Sequence, residues 1–138
     1  MNTVKAVAKG VRMSRRKVNL VAGLVRGRSV SDALVILSNT PKRAAEPIDK
    51  VISSAAANAT NNNKMISKSL IVSEIVVSQG TTMKRFRPAA MGRALPFRRP
   101  TCHINVVVTG ETRTEKPAAE AKKSTAKPAS TKKKVEEK

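Results

Sequence analysis

The chain has 138 residues, enough for one domain and a tail, and its 28 Lys and Arg outnumber nine Asp and Glu, giving a net charge of +19. A protein this basic repels itself unless an anion neutralises it, so nucleic acid is the expected partner. The single Cys excludes an intrachain disulfide, and no apolar run approaches the ~20 residues that cross a membrane, so we expect the cytosol, or an organelle matrix after leader removal.

The first part of the chain predicts a strand followed by two helices. Loose alternation of apolar and polar residues over 3–12 indicates a short strand. Ser14 is a candidate N-cap for the first helix and Gly27 a candidate stop. Ser29 and Asp32 then have capping-box spacing before the apolar run ALVIL, which predicts a second helix. The apolar face predicted for the first helix consists of Val18, Val21, Leu24 and Val25.

A third helix is predicted in the middle of the chain. Thr40-Pro41 favours a start there, because Pro suits the first helical position. Pro47 interrupts the pattern and predicts either a kink or a later start. Asn61-Asn62-Asn63 predicts the end of this helix. Its apolar stripe consists of Ala44, Ala45, Ile48, Val51, Ile52, Ala55, Ala56 and Ala59.

Two further runs, 70–78 and 103–109, have strand character. With the preceding elements they predict an α+β domain, in which three helices pack on a small antiparallel sheet. The domain is expected to span 1–110 and to include a long protruding basic hairpin at 80–103. Residues 111–138 are rich in Lys, Ala and Pro and poor in large aliphatic residues, so we expect a disordered tail.

The segment 83–99, MKRFRPAAMGRALPFRR, has six cations, no acid and the two aromatic residues of the protein. Between two strands, it predicts a basic arm that contacts phosphate, the alternative being a flexible basic loop. A two-residue tip at Met91-Gly92 would place residues whose numbers sum to 183 opposite each other. The facing pairs would then be Phe86 with Phe97, Arg85 with Arg98, and Lys84 with Arg99.

Two consequences of that register are open to test. Like charges directly opposite each other destabilise a ladder, so the arm is expected to depend on phosphates. Phe86 and Phe97 either pack on each other or stack on nucleobases, and both roles remain open. The candidate binding residues of the arm are Lys84, Arg85, Phe86, Arg87, Arg93, Phe97, Arg98 and Arg99, followed by His103.

A second basic cluster lies in residues 1–31, which contain eight cations and no acid. Three of these cations fall in the first turn of the predicted first helix, where they oppose the helix dipole unless an anion binds. We therefore predict a phosphate contact, against the alternative that these side chains extend into water. The candidate residues of this cluster are Arg12, Arg15, Arg16, Lys17, Arg26 and Arg28.

Catalysis is not expected. Cys102 and His103 are neighbours on a predicted strand and so point to opposite faces, and two ligands do not make a zinc site. The sequence has no phosphate-binding glycine loop and no carboxylate pair suited to metal-assisted cleavage. We expect no metal and no cofactor. An architectural DNA-binding protein with basic β-arms is the main alternative to an RNA-binding protein, and an RNA-processing enzyme is a weaker one.

The segment GTTMKRFRPAAMGRALPFRRPTCHINVVVTGE closely resembles the C-terminal half of the bacterial large-subunit ribosomal protein twenty-two family. The shared elements are Lys84-Arg85, Gly92-Arg93, a nine-residue spacer, and the HIxVxV motif that begins at His103. The segments RMSRRKVNLVAGLVRGRSVSDALVIL and PKRAAEPIDKVISSAAANA resemble the first half, so the resemblance covers about residues 3–110. Departures from the family pattern are Ala89 in place of Arg or His, Thr81 in place of Pro, Pro47, and the longer tail.

The resemblance implies a structural protein of the large ribosomal subunit that binds 23S-type rRNA, aids subunit assembly and lines the nascent-peptide exit tunnel with its hairpin. It implies a ribosome-bound, cytoplasmic location with no membrane and no homo-oligomer. Its implied partners are large-subunit rRNA, neighbouring large-subunit proteins and the nascent peptide. The implied tunnel-lining tip consists of Ala89, Ala90, Met91, Gly92 and Arg93.

Overall fold

The computed structural model describes residues 2–112 and has three helices against a three-stranded antiparallel sheet, which confirms the predicted α+β class. Of the predicted disordered tail, residues 113–138 lie outside the described residues. The elements are β1 (Asn2–Val11), α1 (Arg15–Val25), α2 (Val30–Asn39), α3 (Ala45–Asn61), β2 (Ile71–Pro88) and β3 (Ala94–Gly110), with single 3-10 turns at 67–69 and 90–92.

The sheet has the order β1-β3-β2, so the C-terminal strand is central and pairs antiparallel with both neighbours. Strand residues alternate between the two faces of a sheet. Along β3 the residues on the helix side are buried and those on the other side are partly exposed. The buried set of β3 is Cys102, Ile104, Val106 and Val108.

Helix α1 packs against β2 through an apolar stripe of Val18, Val21, Ala22 and Val25. The prediction that Leu24 belongs to this face was wrong, because Leu24 is 49% exposed. Residues i, i+3, i+4 and i+7 share one side of a helix, and Ala22 takes the position that was assigned to Leu24. Ser14 occupies the N-cap position as predicted, but its side chain makes no capping hydrogen bond.

Helices α2 and α3 begin where the local chemistry satisfies their first turns. The Ser29 hydroxyl accepts a hydrogen bond from the backbone N–H of Asp32 at 3.1 Å, as the capping-box spacing predicted. Helix α3 begins at Ala45, so the start at Thr40-Pro41 was wrong and the later start is confirmed. Pro47 thus lies in the first turn, where an N–H has no intrahelical acceptor. The helix ends at Asn61, as predicted.

The loop between α1 and α2 covers the outer edge of β2. The N–H of Gly27 donates to Val72 O at 2.8 Å, Val72 N donates to Arg28 O at 2.9 Å, and Val30 N donates to Leu70 O at 3.0 Å. Gly27 has φ +74°, which glycine adopts without strain. The loop thereby satisfies backbone groups that an edge strand would leave open.

Backbone hydrogen bonds also hold the last described residues. Ile66 N donates to Glu111 O at 3.0 Å, Glu111 N donates to the Ser69 hydroxyl at 3.2 Å, and Thr112 bridges to Met65. Ordered pairing therefore continues two residues beyond the sequence-based boundary at 110.

We predict that deleting residues 113–138 leaves the melting temperature of the protein within about 2 °C. Every core residue of the described chain lies between Ala6 and Val108, so the deletion removes no side chain of this core. Thermal unfolding followed by circular dichroism on the full and shortened chains tests this. A fall of 10 °C would show that the deleted residues contribute to the fold.

Candidate nucleic-acid interface

The long basic hairpin predicted from the sequence is present. Beyond the sheet, β2 and β3 continue to pair with each other from Thr82↔Pro100 to Pro88↔Ala94, and we call residues 82–100 the arm. Most arm side chains are exposed, Phe97 being half-buried. At ~3.3 Å per residue, the seven paired residues of each strand and the turn at the tip give the arm a reach of about 25 Å. It is therefore long enough to enter a structured polyanion.

The predicted register of the arm was wrong by one residue. Facing residues sum to 182, so Lys84 faces Arg98, Arg85 faces Phe97 and Phe86 faces Pro96. The cause lies at the tip, which is a three-residue turn of Ala90–Gly92 closed by Ala89 N donating to Arg93 O at 2.8 Å. Because the turn has three residues and not the predicted two, every facing pair along the arm is shifted by one residue. A single pair of cations directly faces across the ladder, where two were predicted.

At the tip, Gly92 has a φ of +69°, which glycine adopts without strain. Met91 also has a positive φ, +58°, and its side chain is 93% exposed. Two consecutive left-handed residues allow the chain to reverse within the three-residue turn. The residues assigned by resemblance to the tunnel wall, Ala89 to Arg93, thus lie at the far end of the arm.

The arm has two chemically different faces, because directly opposite residues share a face and neighbours along a strand do not. One face, which we call the guanidinium face, carries three Arg beside Phe97 and consists of Met83, Arg85, Arg87, Leu95, Phe97 and Arg99. The other, which we call the proline face, carries Phe86 with one Lys and one Arg and consists of Thr82, Lys84, Phe86, Pro88, Ala94, Pro96, Arg98 and Pro100.

The three prolines of the arm occupy positions where they cost no ladder hydrogen bond. The bond between Ala89 and Arg93 marks a hydrogen-bonded pair, and such pairs alternate with non-bonded ones along an antiparallel ladder. Pro88, Pro96 and Pro100 therefore all fall in non-bonded pairs, whose N–H groups would point outward. Because proline has no N–H, these three residues remove hydrogen-bond donors from the outer edges of the arm, which discourages pairing with another strand.

The two Phe lie on opposite faces, so the hypothesis that they pack on each other was wrong. The Phe97 ring is instead flanked by the guanidinium carbons of Arg99 at 5.6 Å and Arg87 at 5.9 Å from its centroid. Both distances are within cation–π range. Phe86 faces Pro96 and is 69% exposed.

The second cluster surrounds the start of α1. Arg12, Arg15, Arg16 and Lys17 are all exposed, and the first turn of α1 contains no acidic residue. The side chain of Ser14 makes no capping hydrogen bond, and within this turn the Lys17 N–H donates to Ser14 O at 3.0 Å. The N–H groups at the start of a helix, the helix dipole and nearby cations together favour an anion at this end.

Arg26 and Arg28 also make contacts within the protein. Arg26 donates to the carbonyl of Ile75 from Nε at 3.0 Å and from Nη2 at 2.8 Å, and Nη2 also donates to Asn19 Oδ1 at 2.7 Å. Arg28 Nε donates to Leu24 O at 3.1 Å. Arg26 therefore ties the end of α1 to β2, a role that sequence analysis did not foresee.

His103 is part of the junction between the arm and the sheet. Its Nδ1 accepts a hydrogen bond from Gly10 N at 3.0 Å, and it faces Ser78 across the ladder. Gly10 has φ +72° and lies in an irregularity of β1 between Ala8 and Val11. His103 was predicted as a binding residue, and the structure shows it joining β1 to β3.

A β-bulge in β2 marks the base of the arm. Gln79 faces Cys102 and Thr82 faces Pro100, so Gly80 and Thr81 share the single partner Thr101. The buried Thr101 hydroxyl donates to the carbonyl of Thr81 at 2.7 Å. A Cβ at position 80 would lie 2.6 Å from Thr101 Oγ1, so the bulge requires glycine. This bulge was not predicted from the sequence, although a glycine inside a strand pattern is a recognised bulge signal.

We predict that Thr101→Val lowers the free energy of unfolding by about 1–2 kcal/mol. Valine keeps the shape of threonine but leaves the Thr81 carbonyl without its donor in a partly buried site. Urea unfolding measures the change. Thr101→Ser, which keeps the hydroxyl, is the matched control and should lose less, and equal losses in the two variants would show that this hydrogen bond is not what matters.

Within residues 2–112 no group of His, Cys, Asp and Glu side chains is arranged to hold a metal ion, and no helix of this range is long and apolar enough to span a membrane. Cys102 is buried, and its burial raises the pKa of the thiol, so the nucleophilic thiolate is disfavoured. The candidate residues on the described surface are cations and aromatic side chains, which suit the binding of a polyanion.

Residues 6–109 match the family model described as Ribosomal protein L22p/L17e, well over half of the chain. The chain belongs to this family. The resemblance seen in the sequence is thereby confirmed, and every candidate binding residue from Arg12 to His103 lies in the range that matches the L22p/L17e family.

Three similar proteins illustrate the extent of the match. The large ribosomal subunit protein uL22 of Desulfitobacterium hafniense (strain Y51) is 55% identical over 108 residues, which are 78% of this chain and 95% of that protein. The uL22 of Fusobacterium nucleatum is 55% identical over 107 residues, 78% of this chain and 96% of that protein. The uL22c of Mesostigma viride is 54% identical over 105 residues, 76% and 88% respectively.

Proposed function

We propose that this member of the L22p/L17e family is a structural component of the large ribosomal subunit that binds 23S-type rRNA. The names of its relatives place those proteins in the large ribosomal subunit. The observation that carries the proposal is the arm, which projects from the body, has cations on both faces and contains no acid. Most of the attraction of proteins to nucleic acid comes from such cations at phosphates.

In this proposal the body lies on the subunit surface and the arm inserts between rRNA segments. Arg85, Arg87 and Arg99 contact phosphates on one side of the arm, and Lys84 and Arg98 do so on the other. A phosphate opposite the Lys84–Arg98 pair would reverse the repulsion between these two cations. The cluster of Arg12, Arg15, Arg16 and Lys17 binds a further phosphate at the start of α1, with Arg26 and Arg28 at its margin.

We infer the finer roles from the family resemblance, and the position of the tip is compatible with them. Ala89, Ala90, Met91, Gly92 and Arg93 at the end of the arm line the nascent-peptide exit tunnel, and the arm aids subunit assembly by joining rRNA segments. The partners are then large-subunit rRNA, neighbouring large-subunit proteins and the nascent peptide, and the protein is ribosome-bound in the cytoplasm. Catalysis and cofactors have no part in this role.

Competition binding of the purified full chain tests the function. A structured large-subunit rRNA transcript and a DNA duplex of equal phosphate content compete for the protein at matched salt. We expect the rRNA to bind at least tenfold tighter, because the arm fits between packed RNA segments. Tighter binding to the duplex would contradict the proposal and favour the architectural DNA-binding alternative.

A further inference from the structure

The one-residue shift in register separates Phe86 and Phe97 onto opposite faces, and so into different surroundings. On the guanidinium face, the Phe97 ring is approached by Arg87 and Arg99 within 6 Å, and the residue is half-buried. This ring is half-buried and already has two cations near it, so it is less open to a planar ligand than an uncovered ring. Each guanidinium group is held near the ring by its own cation–π contact.

Phe86 has no such cover among the described residues. It is 69% exposed, and Pro96 lies directly opposite in a non-bonded pair, where Cα atoms approach to about 4.5 Å. Covering a large exposed aromatic side chain with a partner removes apolar surface from water, which favours binding. Phe86 lies on the arm and outside the core cluster of the described residues.

The surroundings of Phe86 define the chemistry of that partner. On the same face, the next ladder pair toward the body is Lys84 with Arg98, and no acid occurs between Glu74 and Glu111. A partner must therefore be flat and apolar at the ring and anionic about 7 Å away. An unpaired nucleobase with its own backbone phosphate has both properties, whereas an apolar protein surface has only the first.

We propose that Phe86 stacks on an unpaired base of the bound RNA while Lys84 and Arg98 contact the adjoining phosphate, and that Phe97 is a positioning residue that holds Arg87 and Arg99 for phosphate. This proposal rests on the proposed RNA-binding function and assigns different tasks to its two aromatic residues. Stacking is tolerant of base identity, so Phe86 contributes affinity for unpaired RNA more than sequence preference.

The test compares Phe86→Leu and Phe97→Leu in the full chain, with two probes, a large-subunit rRNA transcript and inorganic polyphosphate, which has no bases. Leucine keeps the apolar character and removes the π face. For Phe86→Leu we expect affinity for the rRNA to fall roughly 5- to 150-fold, the salt slope to stay unchanged, and affinity for polyphosphate to stay unchanged. Phe86→Trp should restore rRNA binding.

For Phe97→Leu we expect about a two- to fivefold loss for both probes with a shallower salt dependence, because Arg87 and Arg99 each lose the ring that positions them. A merely structural role of Phe97 would leave the salt slope unchanged. The proposal is overturned if Phe86→Leu binds rRNA as the parent does, or weakens both probes equally. Normal binding to free rRNA with loss of retention in assembled subunits would likewise overturn it and assign Phe86 to a protein neighbour.

The competition experiment and the Phe86→Leu variant separate RNA binding by the protein from base stacking by Phe86. If the parent protein prefers duplex DNA to rRNA, the proposed function fails and the stacking proposal fails with it. If the parent prefers rRNA but Phe86→Leu matches it on both probes, the stacking proposal alone fails.

Discussion

Replacing Arg85, Arg87 and Arg99 together by Ala is expected to weaken rRNA binding by roughly a hundredfold or more at moderate salt. These residues form the cationic part of the guanidinium face, and each lost phosphate contact should reduce the slope of log K against log salt by about 0.7–0.9. The slope of the triple variant should therefore be shallower by about 2. Filter binding or fluorescence anisotropy at several salt concentrations measures both quantities.

A matched control removes the same charge from the body. Lys42, Arg43 and Lys68 are exposed cations outside the arm and outside the cluster at α1. Their replacement by Ala should cost less than a fifth of the effect of the arm variant on the slope. Equal slopes for the two triple variants would mean that net charge alone, and not the arm, determines binding.

Replacing Ile104 by Ala is expected to lower the free energy of unfolding by about 2–5 kcal/mol. Ile104 is fully buried on the central strand, between Ala8 of β1 and Val77 of β2, and its loss leaves a cavity under the helices. A domain of this size is stabilised by only about 5–15 kcal/mol, so the variant loses a large part of its stability. Urea unfolding followed by circular dichroism gives the change.

Ile71→Ala is the control for this variant, because it makes the same chemical change on the same sheet at a residue that is 47% exposed. Its expected cost is under about 1 kcal/mol. Similar costs for the two variants would contradict the view that the stability of the body resides in the single aliphatic core beneath the helices.

The elements that follow local rules could be predicted from the sequence. Apolar periodicity predicted the stripe of α3, in which the side chains from Ala44 to Ala59 are buried apart from a partly buried Ala56. The cap at Ser29 and the end at Asn61 were equally local. Because of Pro47, the sequence allowed either an early start of α3 with a kink or a later start. The helix has the later start, which places Pro47 in its first turn.

Features that depend on distant residues could not be predicted in this way. Arg26 was counted among the binding cations because the sequence does not show that its acceptor, Ile75 O, is 49 residues away. The register of the arm depended on one uncertain quantity, the size of the tip, and a change of one residue there moves every side chain relative to its opposite strand. That change separates Phe86 from Phe97 and gives the arm two distinct faces.

The bulges at the base of the arm show the same limit. Gly10 and Gly80 are visible in the sequence as glycines within strands, but their partners His103 and Thr101 become evident only when three strands are paired. These four residues lie where the sheet ends and the arm begins. They hold the base of the arm on the sheet. His103, which was predicted to bind, therefore accepts a hydrogen bond from the backbone of Gly10 within the body.

Incorporation into ribosomes would show whether the arm anchors the protein in the large subunit. Cells that express the tagged full chain, or a chain in which residues 83–99 are replaced by a two-residue turn, supply large subunits that are washed in high salt, and the tagged protein is quantified by mass spectrometry. We expect near-stoichiometric retention of the full chain and loss of most of the shortened chain, whose body still folds. Equal retention of the two chains, or absence of the full chain from washed subunits, would contradict it.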